Sequence, residues 1–166
     1  LQQFEILEEK RLQIFLYKVF KPLYKDVRRW SEQQWPANNL RDKLPKAKQT
    51  LSPSDFGFHN SIYRTDGTLC FLDLEYFGWD DPVKLIADFI WHPAMNLSNS
   101  QKKRWLEKVL TIFNDTEQIQ LRFYAAWPLY GLRWAMILLN PYRRDGWAKK
   151  IHVDENFEKH RTQILC

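Results

Sequence analysis

Two carboxylates and one amide in this sequence have the types and the spacing that a phosphoryl-transfer site requires. Asp55 lies five residues before Asn60, and Asp73 lies thirteen residues after Asn60. A carboxylate can accept or orient the proton of an attacking hydroxyl, which is the catalytic part expected of Asp55. Mg2+ or Mn2+ takes oxygen ligands, usually one or two carboxylates together with ATP phosphates. Asn60 and Asp73 are therefore the candidate metal ligands.

A predicted β-hairpin brings these residues together. The dipeptide Asp66-Gly67 is typical of a hairpin turn, and short strand candidates flank it at residues 61–64 and 69–73. Because the two ends of a hairpin meet, Asn60 and Asp73 should be neighbours. We expect both to face one cleft together with the carboxylate on the preceding loop.

The remaining elements are predicted to be helical. Apolar residues within 4–30 recur mostly every four positions, which predicts a helix with a kink or restart near residues 20–22. Residues 31–50 are predicted to be a polar connection. Further helices are predicted over residues 82–91, over 98–113 behind a capping box of Ser98 and Gln101, over 115–139 with a kink at Pro128, and over 154–164. The expected fold class is α+β, mainly α, with one small β-hairpin.

The composition is that of one folded domain covering residues 1–166. Hydrophobic residues make up 45% and aromatic residues 16%, which is enough for a packed core and excludes disorder. The net charge is +5, but the basic residues are spread along the chain, so no nucleic-acid partner is expected. The longest apolar stretch, residues 134–139, is too short to span a bilayer. Cys70 and Cys166 form no disulfide framework and suit a cytoplasmic location.

Three stretches resemble a known family. Residues 51–60 have the sequence Leu-Ser-Pro-Ser-Asp-Phe-Gly-Phe-His-Asn, residues 72–76 Leu-Asp-Leu-Glu-Tyr, and residues 78–82 Gly-Trp-Asp-Asp-Pro. They resemble the catalytic and metal loops of the aminoglycoside phosphotransferase and choline kinase family, in particular an uncharacterised bacterial branch of it. Protein kinases place a catalytic Asp, an Asn and a metal-binding Asp in the same order. The resemblance implies a protein-kinase-like C-terminal lobe whose hairpin carries both loops.

The same resemblance implies ATP-dependent phosphotransfer to a hydroxyl of a small molecule such as an aminoglycoside, choline or a sugar. It gives the catalytic role to Asp55 and the metal to Asn60 and Asp73. It also implies an N-terminal ATP-binding lobe of roughly a hundred residues. The five glycines are too scattered to cradle phosphates. We therefore expect that this lobe is absent from the chain and that the chain alone is inactive.

The predicted catalytic loop departs from the family pattern at three positions. Pro53, Ser54 and Gly57 stand where the pattern His-Gly-Asp-x-His-x-x-Asn has His, Gly and His. The first of these histidines supports the loop in the family, so its loss concerns geometry more than mechanism. His59 in the loop, which could instead contact phosphate, and Asp88 on the helix that follows Asp-Pro are the candidate supports of the loop here.

Four more polar residues are candidates for substrate contacts. Glu75, Asp80 and Asp81 follow the metal loop, where they could bind a cationic substrate or a second metal, or simply cap a turn. Arg133 lies on an apolar helix and needs a carboxylate or a phosphate as partner. Two other functions stay open. One is a kinase-like binding module without catalysis, and the other is an all-helical interaction domain whose acidic residues only cap turns.

Overall fold

A computed structural model of the protein describes residues 9–36, 40–113 and 118–142. This part of the chain is mainly helical and carries two small antiparallel sheets, which confirms the α+β, mainly α prediction. The sheets also exclude an all-helical domain. The helices are Lys21–Gln34 (α1), Pro82–Trp91 (α2), Asn99–Ile112 (α3) and Ile119–Leu138 (α4). The strands are Thr50–Ser52 (β1), Ser61–Tyr63 (β2), Leu69–Phe71 (β3) and Gly78–Asp80 (β4).

The first long helix changes its winding where the sequence predicts a kink. Residues 9–14 are α-helical, and the chain then passes through a π-helical segment, Phe15–Phe20, into α1. The N–H of Lys21 still donates to the carbonyl of Leu16, five residues back. Pro22 has no N–H and cannot extend that ladder, so tighter α-helical winding follows.

The predicted hairpin is present and slightly shorter than expected. Strands β2 and β3 pair with Ser61 opposite Phe71, and the ladder ends before residue 72. At the turn, the Asp66 carboxylate accepts from the backbone N–H and the hydroxyl of Thr68, at 2.9 and 2.6 Å. Gly67 has a φ of 84°, which explains why glycine is needed at this position.

The second sheet was not predicted. Strands β1 and β4 pair antiparallel, with Thr50 opposite Asp80 and Ser52 opposite Gly78. Each strand has only three residues, too few for a period of two to be recognised in the sequence. This sheet matters for the site because it joins the start of the loop that contains Asp55 to the end of the loop that contains Asp73.

Helix α2 lies at the centre of the core. Ile86 and Ala87 are completely buried, and the core cluster also takes residues from α3 and α4, among them Val109 and Phe123. The helix boundaries follow the predicted signals closely. At α3 the capping box of Ser98 and Gln101 is formed. Pro128 is accommodated inside α4. The helix expected over residues 154–164 lies outside the described residues, as does residue 115, the predicted start of α4.

The chain divides into two compact units. One contains residues 1–27 and 132–166, and the other contains residues 28–131. The hairpin, both sheets and α2 all belong to the second unit. Within the residues described, no helix combines the length and the apolar character needed to cross a membrane.

Candidate functional site

The loop of residues 53–60, which we call the Asp55 loop, is held against the core by an aromatic side chain. The ring of Phe56 lies 4.5 Å from the ring of Phe71 on β3, and 5.6 Å from that of Phe89 on α2, measured between centroids. It also approaches Trp105 on α3, at 6.4 Å. Rings at these distances interact favourably beyond the area they bury. The residue next to Asp55 is thus packed against three separate elements.

Hydrogen bonds bring the predicted catalytic and metal residues to the same end of the hairpin. The side-chain amide of Asn60 donates to the backbone carbonyl of Asp55 at 3.1 Å. The backbone carbonyl of Asn60 accepts from the N–H of Leu72 at 2.8 Å, immediately before Asp73. The chain itself therefore links the Asp55 loop to residues 72–77, which we call the Asp73 loop.

The Asp73 loop is exposed and rich in negative charge. A hydrogen bond to Glu75 raises the pKa of the Tyr76 hydroxyl, and the charges of Glu75, Asp73 and Asp55 raise it further. Charges from both loops therefore act on this one phenol. Asp73 has a φ of 55°, a left-handed conformation uncommon outside glycine and found preferentially at functional sites.

The carboxylate of Asp55 is held by two histidines. Nε2 of His59 and Nε2 of His92 each lie 3.1 Å from the same oxygen, Oδ1 of Asp55. The two imidazole rings stack with their centroids 3.9 Å apart and an angle of 18° between their planes. His59 was predicted to support the loop. His92 was not predicted, because no local pattern in the sequence indicates its contact with a residue 37 positions away.

The environment of His92 favours the neutral ring. Its Nδ1 accepts from the backbone N–H of Ala94 at 3.1 Å, at the cap between α2 and the short turn Pro93–Met95. Burial lowers the pKa of His92, and the neighbouring His59 lowers it further, while the negative charges of Asp55 and Asp88 act in the opposite direction. Protonating Nδ1 would set two donors against each other at that cap.

Asp55, His59 and His92 place one ligand atom each within 4.8 Å of one another, a spacing that a metal ion could use. Two observations oppose chelation. The lone pair of an imidazole nitrogen lies in the ring plane, and a metal about 2 Å from each Nε2 cannot lie in the planes of two stacked rings whose centroids are 3.9 Å apart and whose planes differ by 18°. In addition, Nδ1 of His92 already acts as an acceptor, which places the ring proton on Nε2. The cluster is therefore a hydrogen-bonded group.

A lysine missed in the sequence ties the Asp55 loop to α2. Nζ of Lys84 donates to Oγ of Ser54 at 3.1 Å and pairs with Asp80 at 3.1 Å and with Asp88 at 3.5 Å. Ser54 has a left-handed φ of 63°, so this bond holds a strained residue beside Asp55. Asp88, a predicted support of the loop, is connected to it indirectly, because Lys84 contacts both Asp88 and Ser54. Asp80, a predicted substrate residue, belongs to the same network.

The other predicted substrate residues lie apart from one another. Asp81 caps α2 by accepting from the N–H of Val83 at 2.9 Å, and it forms an ion pair with the buried Arg122. It therefore serves the helix start. Glu75 stays exposed in the Asp73 loop. Arg133 belongs to the other compact unit, where it lines an apolar cavity of about 370 Å³.

Comparisons with family models, with curated proteins and with solved structures found no match to this chain. The function of the chain is therefore inferred from the geometry of the two loops.

Proposed function

We propose that this chain provides the catalytic and metal-binding loops of an ATP-dependent phosphotransferase that acts on a hydroxyl of a small molecule. One observation carries the proposal. The bonds from Asn60 to Asp55 and from Leu72 to Asn60 gather the predicted base and both predicted metal ligands at one end of the hairpin. The resemblance to the aminoglycoside phosphotransferase and choline kinase family, and to the lower lobe of protein kinases, is part of this proposal.

In this function Asp55 accepts or orients the proton of the attacking hydroxyl. Its side chain is partly exposed, at 38%, so a substrate can reach it. Both histidines contact Oδ1, which leaves Oδ2 as the oxygen that can face the hydroxyl. A base held before the substrate arrives needs little reorganisation during the reaction, which is how positioned groups accelerate proton transfer.

The residues at the end of the hairpin fit Mg2+ or Mn2+. Asn60 uses its amide nitrogen to hold Asp55, so its amide oxygen is the atom that it can offer to a cation. Asp73 adds an exposed carboxylate. These are hard oxygen ligands, and they are few, as is usual where ATP phosphates complete the shell. The metal would neutralise the charge of the phosphates, while Asn60 and Asp73 fix its place relative to Asp55.

The proposal includes a separate ATP-binding lobe. The five glycines are too far apart in the sequence to form a loop that binds the β- and γ-phosphates. Such a loop is needed because positioning supplies most of the catalysis of phosphoryl transfer. Large apolar side chains on the two small sheets and the Asp73 loop are exposed, including Trp79 at 57% and Tyr76 at 64%. A packed second lobe would cover them. We place the protein in the cytoplasm, where ATP is abundant and both cysteines stay reduced.

A binding module without catalysis is the second candidate. The same exposed side chains favour it, because exposed apolar patches are typical of interaction surfaces. The two candidates differ in their need for a divalent metal and for Asp55, since a binding surface requires neither.

The decisive experiment is transfer of the γ-phosphate of ATP to a panel of aminoglycosides, amino alcohols and sugars. In the intact protein, Asp55→Ala should lower turnover by about 10²-fold to 10⁴-fold, with little change in the affinity for ATP. Asp66→Ala, which removes an exposed carboxylate at the far turn of the same hairpin, is the control and should leave turnover unchanged. Omitting the metal should abolish transfer. Turnover that survives Asp55→Ala would rule out this role, and the 166-residue chain alone should be almost inactive.

A further inference from the structure

We propose that His92 is a positioning residue for Asp55, a neutral imidazole whose Nε2–H orients the carboxylate that receives the substrate proton. The catalytic consequence rests on the proposed phosphotransfer. The hydrogen bond itself does not, and it can be tested separately.

The tautomer of His92 follows from its two contacts. Nδ1 accepts from the backbone N–H of Ala94 at 3.1 Å, so this nitrogen carries a lone pair. A neutral imidazole has one ring proton, and it must then be on Nε2. Nε2 lies 3.1 Å from Oδ1 of Asp55, a normal distance for a donor to a carboxylate. The cap at the end of α2 thus selects the tautomer that donates to the base.

The two histidines do not serve Asp55 in the same way. His59 lies in the Asp55 loop itself, four residues further on, so its position depends on that loop. His92 ends a helix whose residues Ile86 and Ala87 are completely buried. Its side chain is only 12% exposed. His92 therefore holds the carboxylate of Asp55 in a fixed place relative to the core. The ring of His59 stacks on the ring of His92.

A second contact also shows that the end of α2 supports the Asp55 loop. The N–H of Phe58 approaches Sδ of Met95 at 3.1 Å, three residues beyond His92. Met95 is buried, and a Cβ added at Gly57 would lie 2.4 Å from its sulfur. The Asp55 loop is thus seated on the end of α2 over several residues. The bond from His92 is the one among them that reaches the carboxylate.

Imidazole ¹⁵N–¹H spectra test the hydrogen bond directly. The protein has four histidines, so ¹⁵N-histidine labelling gives few signals, and His92→Phe assigns the one in question. We expect the Nε2–H tautomer for His92, with the signal of that proton shifted in Asp55→Ala. An Nδ1–H tautomer would overturn the inference. Added Zn2+ that shifts His59 and His92 together at one equivalent would also overturn it, in favour of a metal site.

Kinetics of the intact protein test the catalytic consequence. His92→Phe keeps a ring but removes the donor, and it should lower kcat by about 10-fold to 100-fold with KM nearly unchanged. His92→Gln offers a donor near the position of Nε2 and should recover most of the loss. In an Asp55→Ala background, His92→Phe should have no further effect, because it acts through Asp55.

The outcomes separate this inference from the proposed function. If Asp55→Ala is impaired but His92→Phe is as active as the wild type, the positioning part is wrong and the phosphotransfer proposal stands. If the intact wild type transfers no phosphate, the proposed function is wrong, and the spectra still decide whether His92 donates to Asp55. If Asp55→Ala transfers phosphate normally, Asp55 is not the base and the catalytic consequence is overturned. An equal loss from His92→Phe in both backgrounds indicates a general structural effect and overturns positioning.

Discussion

The Asp55 loop leads into the hairpin and the Asp73 loop leads out of it, and the two loops are held very differently. The Asp55 loop is bonded to α2 through Lys84 and His92, and it packs the ring of Phe56 against three elements. In the Asp73 loop, Leu72, Leu74, Tyr76 and Phe77 are all between 44% and 64% exposed. A backbone bond from Phe77 to Leu74 closes a turn there.

We infer from this difference that the two loops have different roles. A general base works best when it is rigid before the substrate arrives. A metal-binding loop needs less support in advance, because the metal and its bound phosphates can complete the coordination shell. The fixed loop carries the predicted base, and the exposed loop carries the predicted carboxylate ligand. The order in which the site assembles should therefore be base first and metal last.

The packing of the two loops can be compared with one substitution in each. Phe56→Ala removes a ring that contacts β3, α2 and α3, and it should lower the free energy of unfolding by about 3 kcal/mol. Phe77→Ala removes a ring that is 49% exposed, and it should cost less than about 1 kcal/mol. Urea denaturation of both variants measures the difference. Equal losses would contradict the contrast between the loops.

The second prediction concerns the metal. Asp73→Ala should weaken Mn2+ binding in the presence of ATP by about 10-fold or more, because the metal loses a charged oxygen ligand. Mn2+ titration of the intact protein, followed by water-proton relaxation, measures the affinity. Asp66→Ala serves as the matched control on the same hairpin. Equal affinity in the wild type and Asp73→Ala would remove Asp73 from the metal site.

Much of the fold could be predicted because its signals are local. The turn at Asp66-Gly67, the capping box at Ser98 and the proline at the start of α2 each act over three or four residues, and the structure has all of them. The sheet of β1 and β4 was missed because it joins two three-residue strands about thirty positions apart. Nothing in either segment alone specifies its partner.

The candidate site divides in the same manner. Asp55, Asn60 and Asp73 were predicted to be neighbours because a hairpin brings its two ends together, and the structure joins their loops. His92 and Lys84 were missed because they reach the loop from α2, about thirty or more residues away. For Asp81 the sequence left a substrate contact and a turn cap open, and in the structure it caps α2, as its position before Pro82 favours.

The third prediction compares a glycine within the Asp55 loop with one that directly follows the Asp73 loop. A Cβ at Gly57 would lie 2.4 Å from Sδ of Met95 and 2.7 Å from Nδ1 of His59. Gly57→Ala should therefore cost about 1–3 kcal/mol and displace His59, which lowers turnover as well. A Cβ at Gly78 meets nothing within 4 Å, so Gly78→Ala should be nearly neutral. Thermal denaturation of both variants tests this, and a harmless Gly57→Ala would show that the Asp55 loop is less tightly seated.

The smallest expected effect is a pH dependence of stability that comes from His92. Burial and the neighbouring His59 lower its pKa in the folded protein, against the attraction of Asp55 and Asp88. A histidine has a pKa of about 6.5 when unfolded, so below this pH the unfolded chain binds the proton more readily than the folded one. Stability should therefore fall on acidification from about pH 6.5, by at most about 1.4 kcal/mol per pH unit from this group, and level off below the folded pKa.

His92→Phe removes that group and should flatten this part of the stability profile, while His59, Asp55 and Asp88 remain. The measurement is the free energy of unfolding in urea at several pH values between 5 and 7. Tyr63→Phe, an exposed change on β2, is the control and should keep the slope of the wild type. A slope that is unchanged in His92→Phe would show that His92 titrates alike in the folded and unfolded chains. Its ring would then lack the neutral bias that the contact with Ala94 gives it.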